Sequence, residues 1–232
     1  MFSPKLILNN NVKALVCDMA GTTVNEGGII YKILYRTIKN FNLDIVNERE
    51  IDKWHGANKY EVLDYYLKRT YLNEKYFKEL QPKLHKQLNN NLIESYSKPG
   101  NLSLIHKDLP KLFNNFREND IKIFLNTGYP KEVQESIIKS LNMNEFIDDY
   151  VSSEEVFFGR PKPDMINKLA NRNNILNNQI IKIGDTPNDI LEGINAKCYK
   201  TIGVLSGADN KNILLDAGAD MVINSVMDIK LK

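Results

Sequence analysis

Two aspartates follow short apolar stretches and could together hold a divalent cation. Asp18 comes directly after "VKALVC" at 12–17, and Asp185 follows "IIKIG" at 180–184. If folding brings them together, the two carboxylates repel each other unless a hard cation lies between them, and oxygen ligands suit magnesium. Taken alone, Asp185 fits a helix N-cap equally well. The pair predicts a Mg²⁺ site, with Asp189 close by in the first turn of the next predicted helix.

Hydroxyl and basic side chains at two other points could bind a phosphoryl group. The stretch "NTGYP" offers the Thr127 hydroxyl and Gly128 at the start of a predicted helix, where free N–H groups favour an anion. "GRPKPD" offers Arg160 and Lys162 ahead of a helix capped near Asp164. Each residue alone has an ordinary interpretation as a turn residue, a surface cation or a cap. In combination they predict a phosphate site.

These groups suggest phosphoryl transfer to a carboxylate. A metal ion and Arg160 or Lys162 would draw a phosphoryl dianion toward Asp18, which could then attack phosphorus and form an aspartyl phosphate. Such transfer depends mainly on positioning and charge compensation. Cys17 points away from Asp18 in a strand, so we interpret it as a small core residue and not as a nucleophile.

The elements that must position these residues are predicted to be parallel strands and helices. Nearly continuous Val, Ile and Leu content is typical of strands buried on both faces. Helical spacing follows at Pro130 to Leu141 and Pro187 to Ala196, so right-handed βαβ units and a doubly wound sheet are expected. Ligands bind such sheets at the carboxyl ends of the strands. The predicted strands are 12–17, 121–126, 180–184, 199–204 and 220–224.

One long interval interrupts this alternation. Residues 25–98 show helical spacing in 29–41, in 59–69 and in 73–96, which includes Pro82, and no convincing strand. We therefore predict an α/β protein with a Rossmann-like core formed by residues 1–24 and 99–232. A helical cap of residues 25–98 is inserted directly after the first strand and its loop.

Composition narrows the class of protein. The chain has 232 residues, 42% of them hydrophobic, and a net charge of +2, which gives no reason to expect a nucleic-acid partner. No stretch approaches the length of a membrane span, and the apolar run near the start is too short for a signal peptide. Two cysteines, Cys17 and Cys198, are too few for a disulfide framework. These features predict a cytoplasmic protein that has no contact with membranes.

The stretches "DMAGTTV", "NTGY", "GRPKPD" and "GDTPND" resemble, in order and spacing, the four motifs of the haloacid dehalogenase-like hydrolases. That family usually carries a second aspartate at the position of Ala20 and a lysine at the position of Arg160. Both differences resemble the phosphonatase branch, the phosphonoacetaldehyde hydrolases. In that branch a cap lysine after a glycine forms an imine with the substrate aldehyde, and Lys59 stands three residues after Gly56.

The resemblance implies a role for each matching residue. Asp18 is similar to the nucleophile and a metal ligand, and Ala20 would offer the metal its backbone carbonyl. Thr127 and Arg160 resemble phosphate or phosphonate ligands. The remaining implied residues are Asp185 and Asp189 at the magnesium and Gly128 and Tyr129 near the substrate. The implied partner is a small phosphonate or phosphate, and related enzymes often form homodimers through the cap.

Alanine at position 20 agrees with cleavage of a carbon–phosphorus bond. In the family's phosphatases the second aspartate protonates a departing alkoxide, but a carbanion gains nothing from protonation of oxygen. An imine at Lys59 would store the departing electron pair as an enamine. Lys59 must be neutral for this, so its pKa has to fall by about three units from ~10.4. The dipole of a helix capped by Asn58 would contribute, and burial and Arg160 would supply the rest.

The branch has a histidine three residues after the lysine, where this chain has Val62, and a methionine four residues before it, where it has His55. Three functions therefore stay open. The first is a hydrolase of a small phosphonate or phosphorylated aldehyde that uses Asp18 and Lys59. The second is a phosphomonoesterase in which Lys59 only binds substrate. The third is a non-catalytic module that accepts a phosphoryl group.

Overall fold

A computed structural model describes residues 5–9, 11–45 and 47–232, so part of the predicted N-terminal core segment lies outside the described residues. Strands and helices alternate through most of the chain. In chain order they are β1 Leu6–Leu8, β2 Ala14–Cys17, β3 Val24–Asn25, α1 Ile29–Asn40, α2 Lys59–Thr70, α3 Glu74–Tyr96, β4 Ser103–Leu104, α4 Leu109–Arg117, β5 Lys122–Thr127, α5 Lys131–Ser140, β6 Asp149–Ser152, α6 Asp164–Asn173, β7 Ile180–Gly184, α7 Pro187–Asn195, β8 Lys200–Val204, α8 Lys211–Asp216, β9 Met221–Ile223 and β10 Ile229–Leu231.

The centre of the fold is a parallel sheet with the strand order β6-β5-β2-β7-β8-β9. The predicted doubly wound α/β fold is confirmed, and each of the five predicted strands matches one of these to within two residues at either end. β2 pairs with β5 on one side and β7 on the other, and the chain moves outward from it in both directions. The carboxyl ends of these three central strands therefore meet at the switch point of the sheet.

The sixth strand of the sheet, β6, was not predicted. Its sequence "DYVS" is only half buried and has a single buried apolar residue, Val151, so it lacks the apolar run that marks the predicted strands. Two small strand pairs were missed for a similar reason, since two or three residues show no periodicity. β1 pairs with β10, and β3 pairs with β4 in antiparallel fashion. This second pair joins the segments at which the chain leaves the sheet and returns to it.

Between β3 and β4 the chain forms a helical layer. α1, α2 and α3 pack on one another through leucine, isoleucine and tyrosine side chains, and α3 continues through Pro82. These helices agree with the predicted helical stretches. A 3₁₀ helix at Glu48–Trp54 was not predicted.

The starts of three helices bear on the site. Asn58 caps α2, as predicted, and its side chain accepts a hydrogen bond from Tyr60 N. Thr186, not Asp185, caps α7. The helix that was expected to be capped near Asp164 begins at that residue, with Pro163 as its N-cap and no side-chain capping hydrogen bond. The Asp164 carboxylate accepts a hydrogen bond from the Phe158 amide. Asp185 is thereby left outside the helix.

Among the described residues, no helix combines the length and apolarity that crossing a bilayer requires.

Candidate active site

Loops that follow the central strands meet one loop of the helical layer around a small space. This inner cavity has a volume of about 20 Å³, room for roughly one water molecule. Most of the residues predicted to form the site line it. They are Asp18, Ala20, Lys59, Thr127, Gly128, Tyr129, Arg160 and Asp185. The structure thus brings together groups that are up to 167 positions apart in the sequence.

Asp18 stands at the carboxyl end of β2 and is held by a guanidinium. Arg160 Nη1 donates to Asp18 Oδ1 at 2.6 Å, and the Asp18 side chain is 8% exposed. Burial raises the pKa of Asp18 to about 6, with Asp189 acting in the same direction and Arg160 against it. A cation bound to this carboxylate would favour its charged form, and so would offset both burial and the repulsion by Asp189.

Asp18, Asp185 and Asp189 form a buried acidic cluster, and one carboxylate oxygen of each lies within 4.8 Å of the others. Asp185 accepts hydrogen bonds from the Thr22 hydroxyl at 3.1 Å and from the Ala208 amide at 2.8 Å. Burial, together with the charge of Asp18, raises the pKa of Asp185 well above its ordinary value. Asp18 and Asp185 therefore share a need for positive charge.

Asp189 differs, because its charge is already compensated. Its Oδ1 lies 3.0 Å from Arg160 Nη1 and 2.8 Å from Lys182 Nζ, and its Oδ2 accepts the Thr186 hydroxyl proton at 2.7 Å. Burial disfavours its charged form, but Arg160 and Lys182 outweigh burial and hold the pKa of Asp189 below its ordinary value. Of the three acids, Asp18 and Asp185 are the better placed to bind a metal directly.

The donor set and the local backbone fit magnesium. Gly21 has φ +83°, and any side chain at Gly21 or Gly207 would collide with the Asp185 carboxylate, so the backbone closes tightly around that ligand. Glu192, with the three aspartates, makes four buried carboxylates against two buried core cations, Arg160 and Lys182. This leaves two formal negative charges, which one divalent cation would neutralise.

Arg160 is held in place because all three nitrogens of its guanidinium donate hydrogen bonds. Nε donates to Glu192 Oε2 at 2.9 Å, and Nη2 donates to the backbone and side-chain oxygens of Asn126 at 2.8 and 2.7 Å. Burial disfavours its charge, but Asp189, Asp18 and Glu192 hold the pKa of Arg160 above its ordinary value. Lys162, the alternative cation of this loop, is exposed and does not line the cavity.

Asn126, Lys182 and Glu192 were missed by sequence reasoning. Lys182 lies in the middle of β7, and its Nζ donates to Asn126 Oδ1 at 2.7 Å. Asn126 in turn donates to Glu192 at 2.8 and 2.9 Å. The signal was present in "IIKIG", since a lysine inside a buried strand must meet an anion. The sequence alone does not say which anion. Cys17 is fully buried as predicted, and burial raises its pKa to about 12.

Lys59 is a buried amine at the start of α2. Its backbone N–H donates to the Gly128 carbonyl at 3.1 Å, and its Nζ donates to the Ala57 carbonyl at 2.7 Å. The Tyr31 ring lies 5.3 Å from Nζ. Burial lowers the pKa of Lys59 to about 8, aided by Arg160 and opposed by Asp18. This is close to the shift that imine chemistry requires.

The helical layer lies in direct contact with the core beside this amine. Gly56 has φ +73° and packs on the Thr186 side chain, so no larger residue fits there. Asn188 Nδ2 donates to the His55 carbonyl at 2.6 Å. Gly128 is equally constrained, because a Cβ there would meet the Ala57 carbonyl. The loop that carries Lys59 thus closes the inner cavity.

A second, outer cavity of about 310 Å³ adjoins the first and is open to solvent. Ala20, Tyr31 and Asp185 line both cavities, while Glu26 and His55 line the outer one. His55 therefore faces the approach to the site and does not line the space that holds the amine. Val62 is fully buried in the apolar side of α2 and offers no ionisable group.

Thr127 and Tyr129 form the wall that follows β5. Thr127 is buried, and its hydroxyl accepts a hydrogen bond from the Tyr129 amide at 3.2 Å. The Tyr129 ring is also buried, and its hydroxyl lies 2.8 Å from that of Tyr96, the last residue of α3. A hydroxyl donor and backbone N–H groups at this strand end are suited to phosphate oxygens.

Comparison with known proteins finds similarity over most of the chain. The phosphonoacetaldehyde hydrolase of Parabacteroides distasonis is 27% identical over 218 residues, 87% of this chain and 79% of the relative. Two solved structures share the fold. A phosphonoacetaldehyde hydrolase-like protein from Oleispira antarctica has a TM-score of 0.76 at 24% identity and covers 98% of this chain and 93% of its own. A predicted phosphoglycolate phosphatase from Haemophilus somnus has a TM-score of 0.71 at 18% identity, over 93% and 95%.

The family-level match spans the sheet and the helical layer together. The profile described as haloacid dehalogenase-like hydrolase aligns with residues 15–204, which include the loops that carry the acidic cluster, Arg160 and Lys59. The chain belongs to the haloacid dehalogenase-like hydrolases.

Proposed function

We propose that this hydrolase cleaves the carbon–phosphorus bond of a small phosphonate that carries an aldehyde, with phosphonoacetaldehyde as the first compound to test. The observation that carries the proposal is the position of Lys59. Its amine is buried in the same cavity as Asp18 and Arg160, and burial lowers its pKa to about 8. A lysine that only bound an anionic substrate would gain from full charge and exposure to the ligand, not from a lowered pKa.

The amine would activate the substrate by covalent chemistry. Neutral Lys59 attacks the aldehyde carbon, water leaves, and a protonated imine forms. Asp18 then bonds to phosphorus as the carbon–phosphorus bond breaks, and the electron pair of that bond moves into the imine to give an enamine. Protonation at carbon and hydrolysis release acetaldehyde and free Lys59. Since the leaving atom is carbon, the methyl group of Ala20 stands where no acid is needed.

The core would position the phosphonate and neutralise it. Arg160 holds Asp18 in place for attack, and Thr127 and Gly128 offer a hydroxyl and backbone N–H groups at the end of β5. Asp18, Asp185 and the Ala20 carbonyl would hold Mg²⁺, which when bound supplies positive charge to the phosphonate oxygens. Water then attacks the aspartyl phosphate of Asp18 and phosphate leaves.

A phosphomonoesterase is the second candidate, because the arrangement of Asp18, Arg160 and Asp185 does not depend on Lys59. The similarity in fold to a predicted phosphoglycolate phosphatase favours this alternative. Ala20 weighs against it, since no carboxyl at that position can protonate a departing alkoxide. General acids of this kind contribute about 10²–10⁴-fold.

Reductive trapping separates the two candidates. The Mg²⁺-loaded protein is incubated with phosphonoacetaldehyde and borohydride, digested and analysed by mass spectrometry. We expect an ethyl group on the peptide that contains Lys59, because reduction after cleavage converts the enamine-derived imine into an N-ethyl lysine. Lys59→Arg, which keeps the charge, should yield no adduct. An unmodified peptide together with efficient turnover of small phosphate esters would establish the phosphomonoesterase instead.

Pairing of two copies through the cap stays a prediction, which sedimentation velocity tests.

A further inference from the structure

Three buried side chains form a hydrogen-bonded chain beside the site. The hydroxyls of Tyr129 and Tyr96 are 2.8 Å apart, and Tyr96 donates to Glu26 Oε2 at 3.2 Å. The exposed fractions of Tyr129, Tyr96 and Glu26 are 2%, 7% and 6%. They come from three parts of the molecule, since Tyr129 follows β5, Tyr96 ends α3 and Glu26 lies between β3 and α1.

The direction of the protons in this chain follows from the number of donors. A tyrosine hydroxyl has one proton, and Tyr96 gives its proton to Glu26. The bond between the two tyrosines must therefore be donated by Tyr129. The oxygen of Tyr129 can then accept a further hydrogen bond. Glu26 is held as the acceptor end by the amides of Gly28 at 3.0 Å and Ile30 at 2.8 Å.

The two ends of the chain reach different spaces. Tyr129 lines the inner cavity together with Lys59, whereas Glu26 lines the outer cavity that opens to solvent. The inner cavity is too small to contain a file of water molecules. Protein groups that line this cavity can therefore carry a proton away from Lys59 in place of a file of water, and Val62 is not among them.

We propose that Tyr129, Tyr96 and Glu26 relay protons between Lys59 and the outer cavity during imine formation, an inference that rests on the proposed function. When the amine adds to the aldehyde, a nitrogen–carbon bond forms and the nitrogen must lose one proton. Lys59 and Tyr129 line the same cavity, which has room for about one water molecule, so that proton passes through a bridging water to the Tyr129 oxygen. Tyr129 at the same time passes its own proton to Tyr96, and Tyr96 passes its own to Glu26.

The same chain returns protons to the oxygen that must leave. This oxygen departs as water and so needs two protons, one returned from Glu26 and a second from a water molecule in the outer cavity, which is left as hydroxide in the solvent. The nitrogen lone pair forms the new double bond as the carbon–oxygen bond breaks, and the nitrogen keeps one proton, which gives the positively charged, protonated imine. Atoms and charges then balance without a group at position 62.

A structural role is the alternative, because the chain also ties α3 to the start of α1. Rates of adduct formation distinguish the two. The protein is mixed with phosphonoacetaldehyde, quenched with borohydride at increasing times, and the modified peptide of Lys59 is quantified. We expect Tyr96→Phe, which keeps the ring and removes the relay, to slow adduct formation by about tenfold or more. Tyr66→Phe, a fully buried tyrosine of α2 away from the site, is the matched control and should retain the wild-type rate.

The dependence of the rate on deuterium content reports how many protons move in the step, and a change in packing alone would not alter it. In mixtures of H₂O and D₂O the wild-type rate should depend on the deuterium fraction along a curve, because several protons move in one step. For Tyr96→Phe the dependence should become linear. Tyr129→Phe should slow the reaction similarly, and the double variant should be no slower than the slower single variant, since both changes interrupt one path.

Each outcome supports the relay or overturns it. A Tyr96→Phe protein with the wild-type rate and curve would overturn the relay and leave the proposed function standing. Slowing by Tyr31→Phe, whose hydroxyl accepts a hydrogen bond from Gly56 N, without slowing by Tyr96→Phe would assign the route to another tyrosine and also overturn it. Absence of any adduct in the wild type would overturn the proposed function and the relay together. If Tyr96→Phe fails to fold, the rate and isotope dependence of Tyr129→Phe decide in its place.

Discussion

Two buried lysines of this protein have opposite surroundings. Lys182, in the core strand β7, has no exposed surface, and its Nζ lies 2.8 Å from Asp189 Oδ1 and 2.7 Å from Asn126 Oδ1. Lys59, in the helical layer, is 4% exposed, and its Nζ donates to the Ala57 carbonyl. In the described part of the chain, no carboxylate lies within ion-pair distance of Lys59. Burial removes both amines from water, but only the amine of Lys182 in the core has carboxylates in contact with it in place of water.

The difference shows why burial alone does not make a nucleophile. A buried ammonium with carboxylates in contact is part of a network whose charges hold one another in place. A buried ammonium with a carbonyl and an aromatic ring beside it, and no carboxylate in contact, is destabilised relative to its neutral form, so its pKa falls. The same residue type thus serves the core as a fixed ion and the cap as a candidate reactive amine. Substitution of each lysine by methionine, which is similar in length and uncharged, tests this division.

The largest effect is expected from Lys59→Met on activity. Loss of a covalent nucleophile typically lowers turnover by on the order of 10⁴-fold or more, and we expect this for phosphonoacetaldehyde, measured as phosphate release. The melting temperature should stay the same or rise, because an apolar side chain replaces a charge that lacks an anionic partner. Lys162→Met, at an exposed lysine, is the control and should change neither quantity. Full activity of Lys59→Met would remove the covalent role.

The reverse pattern is expected for Lys182→Met, with stability lost first. Removal of one partner from a buried ion network costs about 3–5 kcal/mol, or roughly 10²–10⁴-fold in the folding equilibrium. Asp189 and Glu192 would lose a cation at 2.8 and 3.4 Å. Urea unfolding measures the free energy, with Lys230→Met, at an exposed residue of β10, as the control. An unchanged unfolding free energy would mean that Arg160 alone compensates these acids.

Much of the fold could be predicted from the sequence because five strands of the sheet carry apolar runs and most helices show helical spacing. Continuous apolar runs located β2, β5, β7, β8 and β9, and helical spacing located α1, α2, α3, α5 and α7. The missed strand β6 illustrates the limit. Val151 is the single buried apolar residue of "DYVS", so no apolar run marks this segment, and its assignment comes only from pairing with β5.

The site was predictable where a motif marks it and not where tertiary contacts form it. Asp18, Arg160 and Lys59 stand in recognisable stretches, and the structure gathers them around one cavity. Lys162 could not be separated from Arg160 by sequence, since only the path of the loop decides which cation is buried. The partners of Lys182 were hidden for the same reason, because they come from strands and helices more than 50 residues away or on another element.

A smaller effect than loss of Lys182 is expected from magnesium binding to the acidic cluster. A ligand at 100 times its Kd raises the free energy of unfolding by about 2.7 kcal/mol if it binds only the folded state. Thermal unfolding with and without Mg²⁺ measures this without reference to activity. Asp185→Asn should abolish the effect, whereas Asp216→Asn, at an exposed aspartate of α8, should retain it. Equal stabilisation of both variants would place the ion elsewhere.

The smallest effect is expected from pH, and it tests the cause assigned to Lys59. Burial lowers the pKa of Lys59 to about 8, and only the neutral amine attacks an aldehyde, so reactivity is lost as pH falls. The neutral fraction is about one half at pH 8 and roughly one hundredth at pH 6. The initial rate of borohydride-trapped adduct should therefore fall about fifty-fold across this range and level off above it. A rate that keeps rising tenfold per pH unit up to pH 10 would belong to a solvated lysine. Burial without an anion would then not explain the amine, and the contrast with Lys182 would lose its chemical meaning.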